Sequence, residues 1–293
     1  MFTRLIYYCV IIPISLLPMW ILYRFSDGLF LLFRFLKPYR NRLVLENLRR
    51  AFPEKSQAEI QEIAWGFYRH FCDLIVESIK SFTISGAEIK RRMAATGIDF
   101  LDPFKKPGTT FLLGAGHYGN WEWYAVSSQL HSGFQGTGIY KPLSNKFLDG
   151  KMRETRCRFG FQMIPMKEAK DWLAQRKPSD APGILVYASD QSPTDPRKAH
   201  WGKFFGMDTA MLYGIEKHAR ETGLPVLFGR IRRLKRGHYQ YQYEMLTSNP
   251  RETPEGWIIE EIHRRVEKQI REDPRYWLWT HRRWKHAKPA DLT

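Results

Sequence analysis

Cysteine is scarce in this chain. The 293 residues hold three, Cys9, Cys72 and Cys157, far apart in sequence and without metal-ligand spacing. So sparse and odd a set builds neither a disulfide framework nor a zinc site, and it fits a reducing compartment. There is no low-complexity run and no internal repeat. No Gly-x-Ser-x-Gly elbow is present, so nothing in the pattern calls for a serine acyl-enzyme. No recognisable nucleic-acid module occurs. Acid is also in short supply: 30 Asp and Glu stand against 46 Lys and Arg, a formal net charge of +16. Partners of such a chain are anionic, whether nucleic acid, an anionic membrane leaflet, a phosphorylated lipid or an acidic carrier protein.

One long apolar run is present, at residues 5–23. As a helix rising about 1.5 Å per residue it approaches the roughly 30 Å of a bilayer core. No small-residue cleavage site follows, which argues against a removable signal peptide. Pro13 and Pro18 kink the run and leave a re-entrant or interfacial course open. Trp20 and Tyr23 suit the membrane interface. Arg4 alone precedes the run, whereas Arg24, Arg34, Lys37, Arg40 and Arg42 follow it, so the positive-inside rule puts the body in the cytoplasm. The competing reading is a buried core helix. Residues 29–36 continue the apolar character, as if lying on a bilayer surface with Arg34 snorkelling. The resulting division is a membrane segment, 1–37, and one catalytic domain, 38–293.

Beyond it the chain alternates short apolar runs with amphipathic stretches, the pattern of an α/β domain. Helices are predicted over 39–52, from a Ser56/Glu59 capping box to about Ile79, over 119–131, 145–159 and 167–177, from an Asp208 or Thr209 cap to 221, and over 255–272. Strands are predicted at 111–113, 136–140, 161–164 and 184–188, with an antiparallel pair at 224–231 and 239–246. Trp277, His281 and Trp284 share one stripe of a predicted final helix. Residues 84–107, and the cations Arg230, Arg232, Arg233, Lys235 and Arg236, read as solvated faces or as lipid-facing rims.

The organising stretch is 109–123, Thr-Thr-Phe-Leu-Leu-Gly-Ala-Gly-His-Tyr-Gly-Asn-Trp-Glu-Trp. A buried strand runs into glycines, then into His117 at the strand end, where ligands of open α/β sheets bind. Glu122 falls in the first turn of the following helix. A carboxylate on one imidazole nitrogen leaves the other free to act as a base. The plainer alternative is a structural His at a helix start, with Glu122 drawn to the helix N-terminus.

Gly116-His117-Tyr-Gly-Asn120-Trp-Glu122 resembles the His-x4-Asp/Glu signature of the lysophospholipid acyltransferase superfamily. Its flanks resemble the branch holding the late acyltransferases of bacterial lipid A biosynthesis. The likeness continues through Tyr140 to Asn145, Ser189-Asp190-Gln191-Ser-Pro, Trp201 to Gly206 and Trp277 to Lys285. It implies a central mixed, mostly parallel sheet flanked by helices, of glycerol-3-phosphate acyltransferase type, behind an N-terminal membrane helix. It implies transfer of a fatty acyl group from a thioester, on acyl carrier protein, to a hydroxyl of an anionic lipid A precursor at the cytoplasmic face of the bacterial inner membrane. His117 would be the base and Glu122 its orienting partner. Asn120, Lys141, Arg153, Arg156, Asp190 and Gln191 are the substrate-binding candidates, with Arg156 favoured among the arginines of 153–158. Lys141, an arginine of 153–158 or backbone N–H groups near Gly119 and Asn120 would meet the oxyanion, and residues 201–206 would cover the site or line an acyl channel. No metal and no soluble cofactor is implied. The alternatives are a lysophospholipid or aminoacyl lipid as acceptor and, in another class, a membrane-associated nucleic-acid-binding protein, built on the charge and the Trp/Arg tail.

Overall fold

Two prolines shape the N-terminus. In the computed structural model, which describes residues 2–289, a helical stretch Phe2–Leu16 and a helix Met19–Phe35 meet at 117°. The break is at Pro18. Leu17 before it is extended (φ −60°, ψ 147°), as the proline ring demands of its predecessor. Pro13 is absorbed instead, because a π-helical turn, Tyr7–Ile11, precedes it and accommodates the lost N–H donor. The carbonyls freed at the break are not left bare. Lys80 Nζ donates to Ser15 O (3.2 Å) and Leu17 O (3.0 Å), and Thr83 Oγ1 to Ser15 O. Among the described residues no single helix is long and apolar enough to cross a membrane, although the bent pair passes that test together by length and composition.

The expected amphipathic helix is Asn41–Ala51. Ser56 and Glu59 form the expected capping box, which opens the long helix Gln57–Lys80. Nine strands follow among the described residues: β1 Met93–Ala95, β2 Thr110–Ala115, β3 Gln135–Tyr140, β4 Gln162–Pro165, β5 Gly183–Ala188, β6 His200–Phe204, β7 Met207–Met211, β8 Val226–Lys235 and β9 His238–Thr247. Seven make one sheet in the order β1-β9-β8-β2-β5-β3-β4. Every pairing is parallel except β8 with β9. The α/β class and the mixed, mostly parallel sheet are therefore as expected.

β2 is buried on both faces, hence its unbroken apolar run. Period-two alternation still sorts its side chains: Leu112 joins one apolar cluster with Ile215, Ile262 and Val266, while Phe111 and Leu113 join the other with Trp123, Leu227 and Tyr239.

Two expectations fail. Asp208 and Thr209 cap no helix; they lie in β7, which pairs with β6 as a separate hairpin, and the next helix is Gly214–Thr222. Residues 277–285 form no helix either. Trp277 makes an antiparallel bridge with Tyr118, and Leu278 N donates to His117 O (3.2 Å). Tertiary pairing with the loop that carries His117 overrides the helical spacing of Trp277, His281 and Trp284. The tryptophans are mostly packing: Trp277 and Trp279 are fully buried.

Candidate active site

Register explains the site. β2 and β5 are parallel neighbours, and Ala115 pairs with Ala188. Two residues beyond each lie His117 and Asp190, so two side chains 73 positions apart in sequence leave the sheet level and adjacent. Asp190 Oδ1 accepts from His117 Nδ1 at 2.6 Å, and Oδ2 accepts from the His117 backbone N–H at 2.7 Å. The Trp277 indole N–H donates to the same Oδ2 at 2.7 Å. Gly116 makes room: a Cβ there would stand 3.2 Å from Asp190 Oδ2 and 3.1 Å from Val266. Gly119 supplies the turn, with φ +63°, a conformation L side chains resist.

The charges follow from this geometry. Burial would push the imidazole down, but the Asp190 carboxylate, its hydrogen bond and the nearby Glu122 charge together raise the His117 pKa above its ordinary value. Burial acts to raise Asp190, yet the imidazole and the donors from His117 and Trp277 hold its carboxyl well below the usual carboxylate range. With Nδ1–H committed to Asp190, Nε2 carries the lone pair. Gln191 Nε2 stands 3.3 Å from it.

His117 opens onto a cavity of about 420 Å³ beyond the carboxyl ends of β2, β5 and β3. Its walls are largely apolar, with Ile139, Phe161, Met163 and Val186 among them, and Lys141, Arg153 and Arg156 supply cations. Glu122 also lines this space, but it does not hold the imidazole. Its two oxygens accept from Arg156 Nε (2.9 Å) and Nη2 (2.7 Å) as a bidentate pair. The imidazole's partner is thus Asp190, not the Glu122 of the sequence expectation. Backbone position decides this, since Glu122 sits on the helix Trp121–Ser127, whose first turn faces the helix Lys146–Cys157 that carries Arg156.

The remaining candidates divide. Lys141, Arg153, Arg156 and Gln191 line the cavity, whereas Asp190 lies behind His117, 2% exposed. Asn120 is fully buried and does not line the cavity. Its Oδ1 caps the helix through Trp123 N (2.8 Å), and its Nδ2 donates to Glu77 (2.7 Å). The Gly119 N–H is taken by Tyr276 O (2.9 Å), which removes one proposed oxyanion donor. Arg158 turns away to clasp the carbonyls of Ser81, Phe82 and Ile84. Residues 201–206 are absent from the cavity lining, so they neither cover this space nor form its channel. Arg233 and Arg236, expected at the surface, reach inward to Asp73.

Sequence reasoning missed what stands behind the site. Trp277 holds Asp190, and His281 Nε2 accepts from Ser192 N (2.9 Å), burial having lowered that imidazole to about 4. Both lie in a block whose composition was noticed and whose helical reading hid the contacts.

An imidazole held at the sheet edge, with an apolar cavity in front of it and guanidinium groups in the cavity wall, is the candidate site of an α/β enzyme. A model of the bacterial lipid A biosynthesis acyltransferase family matches residues 1–286. The chain belongs to that family and is an acyltransferase of lipid A biosynthesis. It is 26% identical, over 277 residues, to the lipid A biosynthesis lauroyltransferase of Escherichia coli (strain K12), an alignment covering 92% of this chain and 87% of that protein.

Proposed function

We propose that the protein is a membrane-bound O-acyltransferase that moves a fatty acyl group from acyl carrier protein to a hydroxyl of a lipid A precursor, at the cytoplasmic face of the bacterial inner membrane. The observation that carries this reading is the Nε2 lone pair of an imidazole locked on Asp190 and facing an apolar cavity with cations in its walls. His117 Nε2 removes the proton of the acceptor hydroxyl as its oxygen attacks the thioester carbonyl. The resulting tetrahedral oxyanion collapses, the C–S bond breaks, and the imidazolium returns its proton to the departing thiolate. General-base catalysis of this kind supplies roughly 10²–10⁴-fold. Asp190 fixes the tautomer and stabilises the imidazolium.

Glu122 has a different part from the one its spacing suggested. It aims the Arg156 fork into the cavity, where Arg156, Arg153 and Lys141 meet the phosphate of the acceptor and the charge developing on the carbonyl oxygen. The bent N-terminal pair, with Leu5, Leu16, Trp20, Phe25 and Phe35 exposed, is the membrane-seated element. The net charge of +16 suits both an anionic leaflet and an acidic carrier.

The test is purified protein with an acyl carrier protein thioester and a phosphorylated lipid A precursor, products read by mass spectrometry. Acyl transfer is expected in the parent and not in His117→Ala. Near-parental turnover in that variant removes His117 from the mechanism. A matching coenzyme A thioester and a panel of lysophospholipid and aminoacyl lipid acceptors, run in parallel, identify the donor and the acceptor.

A further inference from the structure

The helix Gln57–Lys80 buries more than its apolar stripe. His70, Asp73 and Glu77, at i, i+3 and i+7, are 1%, 0% and 0% exposed. They occupy the seam between the helix Met19–Phe35 and the loop that carries His117. Asp73 accepts from Ser26 (2.7 Å) on the N-terminal side and from Arg233 (3.0 Å) and Arg236 on the other. Glu77 reaches furthest. Its Oε1 accepts from Tyr23 OH (2.7 Å), and its Oε2 from Asn120 Nδ2 (2.7 Å) and Tyr239 OH (2.8 Å). Its backbone carbonyl accepts from the Trp123 indole (3.0 Å). A buried carboxyl is costly unless its oxygens are satisfied, and packing alone would be served by an apolar residue. Here two of the bonds join the N-terminal helix to the loop that carries His117. Asn120 opens the helix that presents Glu122 to Arg156 and sets the Trp121 ring edge-on to His117, centroids 5.3 Å apart.

We propose that Glu77 is a positioning residue for acyl transfer: through Asn120 it sets the geometry of the 117–122 loop, and through Tyr23 it ties that geometry to the seating of the helix Met19–Phe35. The inference rests on the reading of His117 as base. It touches no substrate and acts only through the loop. An error of about 1 Å in a reacting group is enough to cost of the order of 100-fold in rate.

The experiment measures kcat, KM and the thermal midpoint of purified enzyme for Glu77→Gln, Asn120→Asp, the two combined, and Tyr23→Phe. Glu77→Gln leaves one oxygen for the three donors of Tyr23, Asn120 and Tyr239 that two oxygens serve in the parent, and kcat is expected to fall about 10- to 100-fold with KM within about threefold of the parent. Asn120→Asp alone sets two carboxyls face to face and should fall at least as far. The combined variant exchanges donor and acceptor while keeping the cap on Trp123 N, so its kcat should return to within about threefold of the parent. Tyr23→Phe, which cuts only the N-terminal arm, should lower kcat by about three- to tenfold. Parental kcat in folded Glu77→Gln overturns the proposal. So does a combined variant that regains thermal midpoint but not rate. Unchanged kcat in Tyr23→Phe overturns the tie to the N-terminal helix. His117→Ala in the same assay separates the failures: if it keeps parental turnover, the base assignment is wrong whatever the Glu77 series shows.

Discussion

On the β5 side of the cavity, Asp190 is 2% exposed and accepts three hydrogen bonds, two from His117 and one from Trp277. On the side of the helix Lys146–Cys157, Glu122 keeps 17% of its side chain accessible and meets only Arg156, itself 20% accessible. One carboxylate is walled in and fully engaged; the other shares a fork with a cation that a substrate can reach. Burial makes the first an orienting group, because a dry, saturated carboxylate cannot change partners without loss. Partial exposure suits the second to binding, because a phosphate arriving in the cavity can share the guanidinium. The same functional group, at two depths around one imidazole, is suited to two different tasks.

The comparison breaks most sharply on Asp190→Asn. A wrong tautomer and a less stabilised imidazolium should lower kcat by about 10²–10⁴-fold, with KM little changed. The acid limb of the rate profile should move as well. In the proposed role of base His117 must be neutral, so the parent rate should rise with pH through its raised pKa. Removing the Asp190 charge while burial remains drops that pKa and shifts the limb to lower pH. A limb that stays in place separates Asp190 from the base.

Glu122→Gln comes next. With the fork released, kcat/KM should fall about 10- to 100-fold, expressed in KM as well as kcat. A larger loss than Asp190→Asn would reverse the assignment of the two carboxylates, and kinetics of both variants side by side settle it. Arg156→Lys keeps the charge and loses bidentate geometry, and KM for the lipid acceptor should rise about tenfold with a smaller change in kcat. Lys141→Ala should have the smallest effect. Lys141 is exposed at the end of β3, and a change of about two- to fivefold in KM that shrinks with added salt is expected. A salt-independent fall in kcat would instead make it an oxyanion donor.

Much of the architecture could be read from the residues. β2, β3, β5, β8 and β9 lie within a few residues of the expected strands, and the Ser56 capping box opens the long helix as its spacing requires. The placing of His117 at a carboxyl edge followed from a strand running into glycines. The expectation failed where spacing meant something other than a helix. Residues 277–285 carry a helical stripe, yet they are drawn out to bridge Tyr118 and to put an indole on Asp190. Asp208 and Thr209 look like caps and lie in a hairpin.

What this sequence determined alone is local: the periodicities that choose strand or helix, the proline that breaks the N-terminal run, the glycines around an imidazole, and a charge balance that seeks anions. Which carboxylate serves that imidazole was never local. Glu122 was the neighbour in the chain, but side-by-side parallel pairing of β2 and β5 levels their ends and brings Asp190 in from 73 residues away. Sheet register carries no mark in the residues it aligns, and so the partner of the base, the indole behind it and the buried Glu77 seam appear only once the chain is folded.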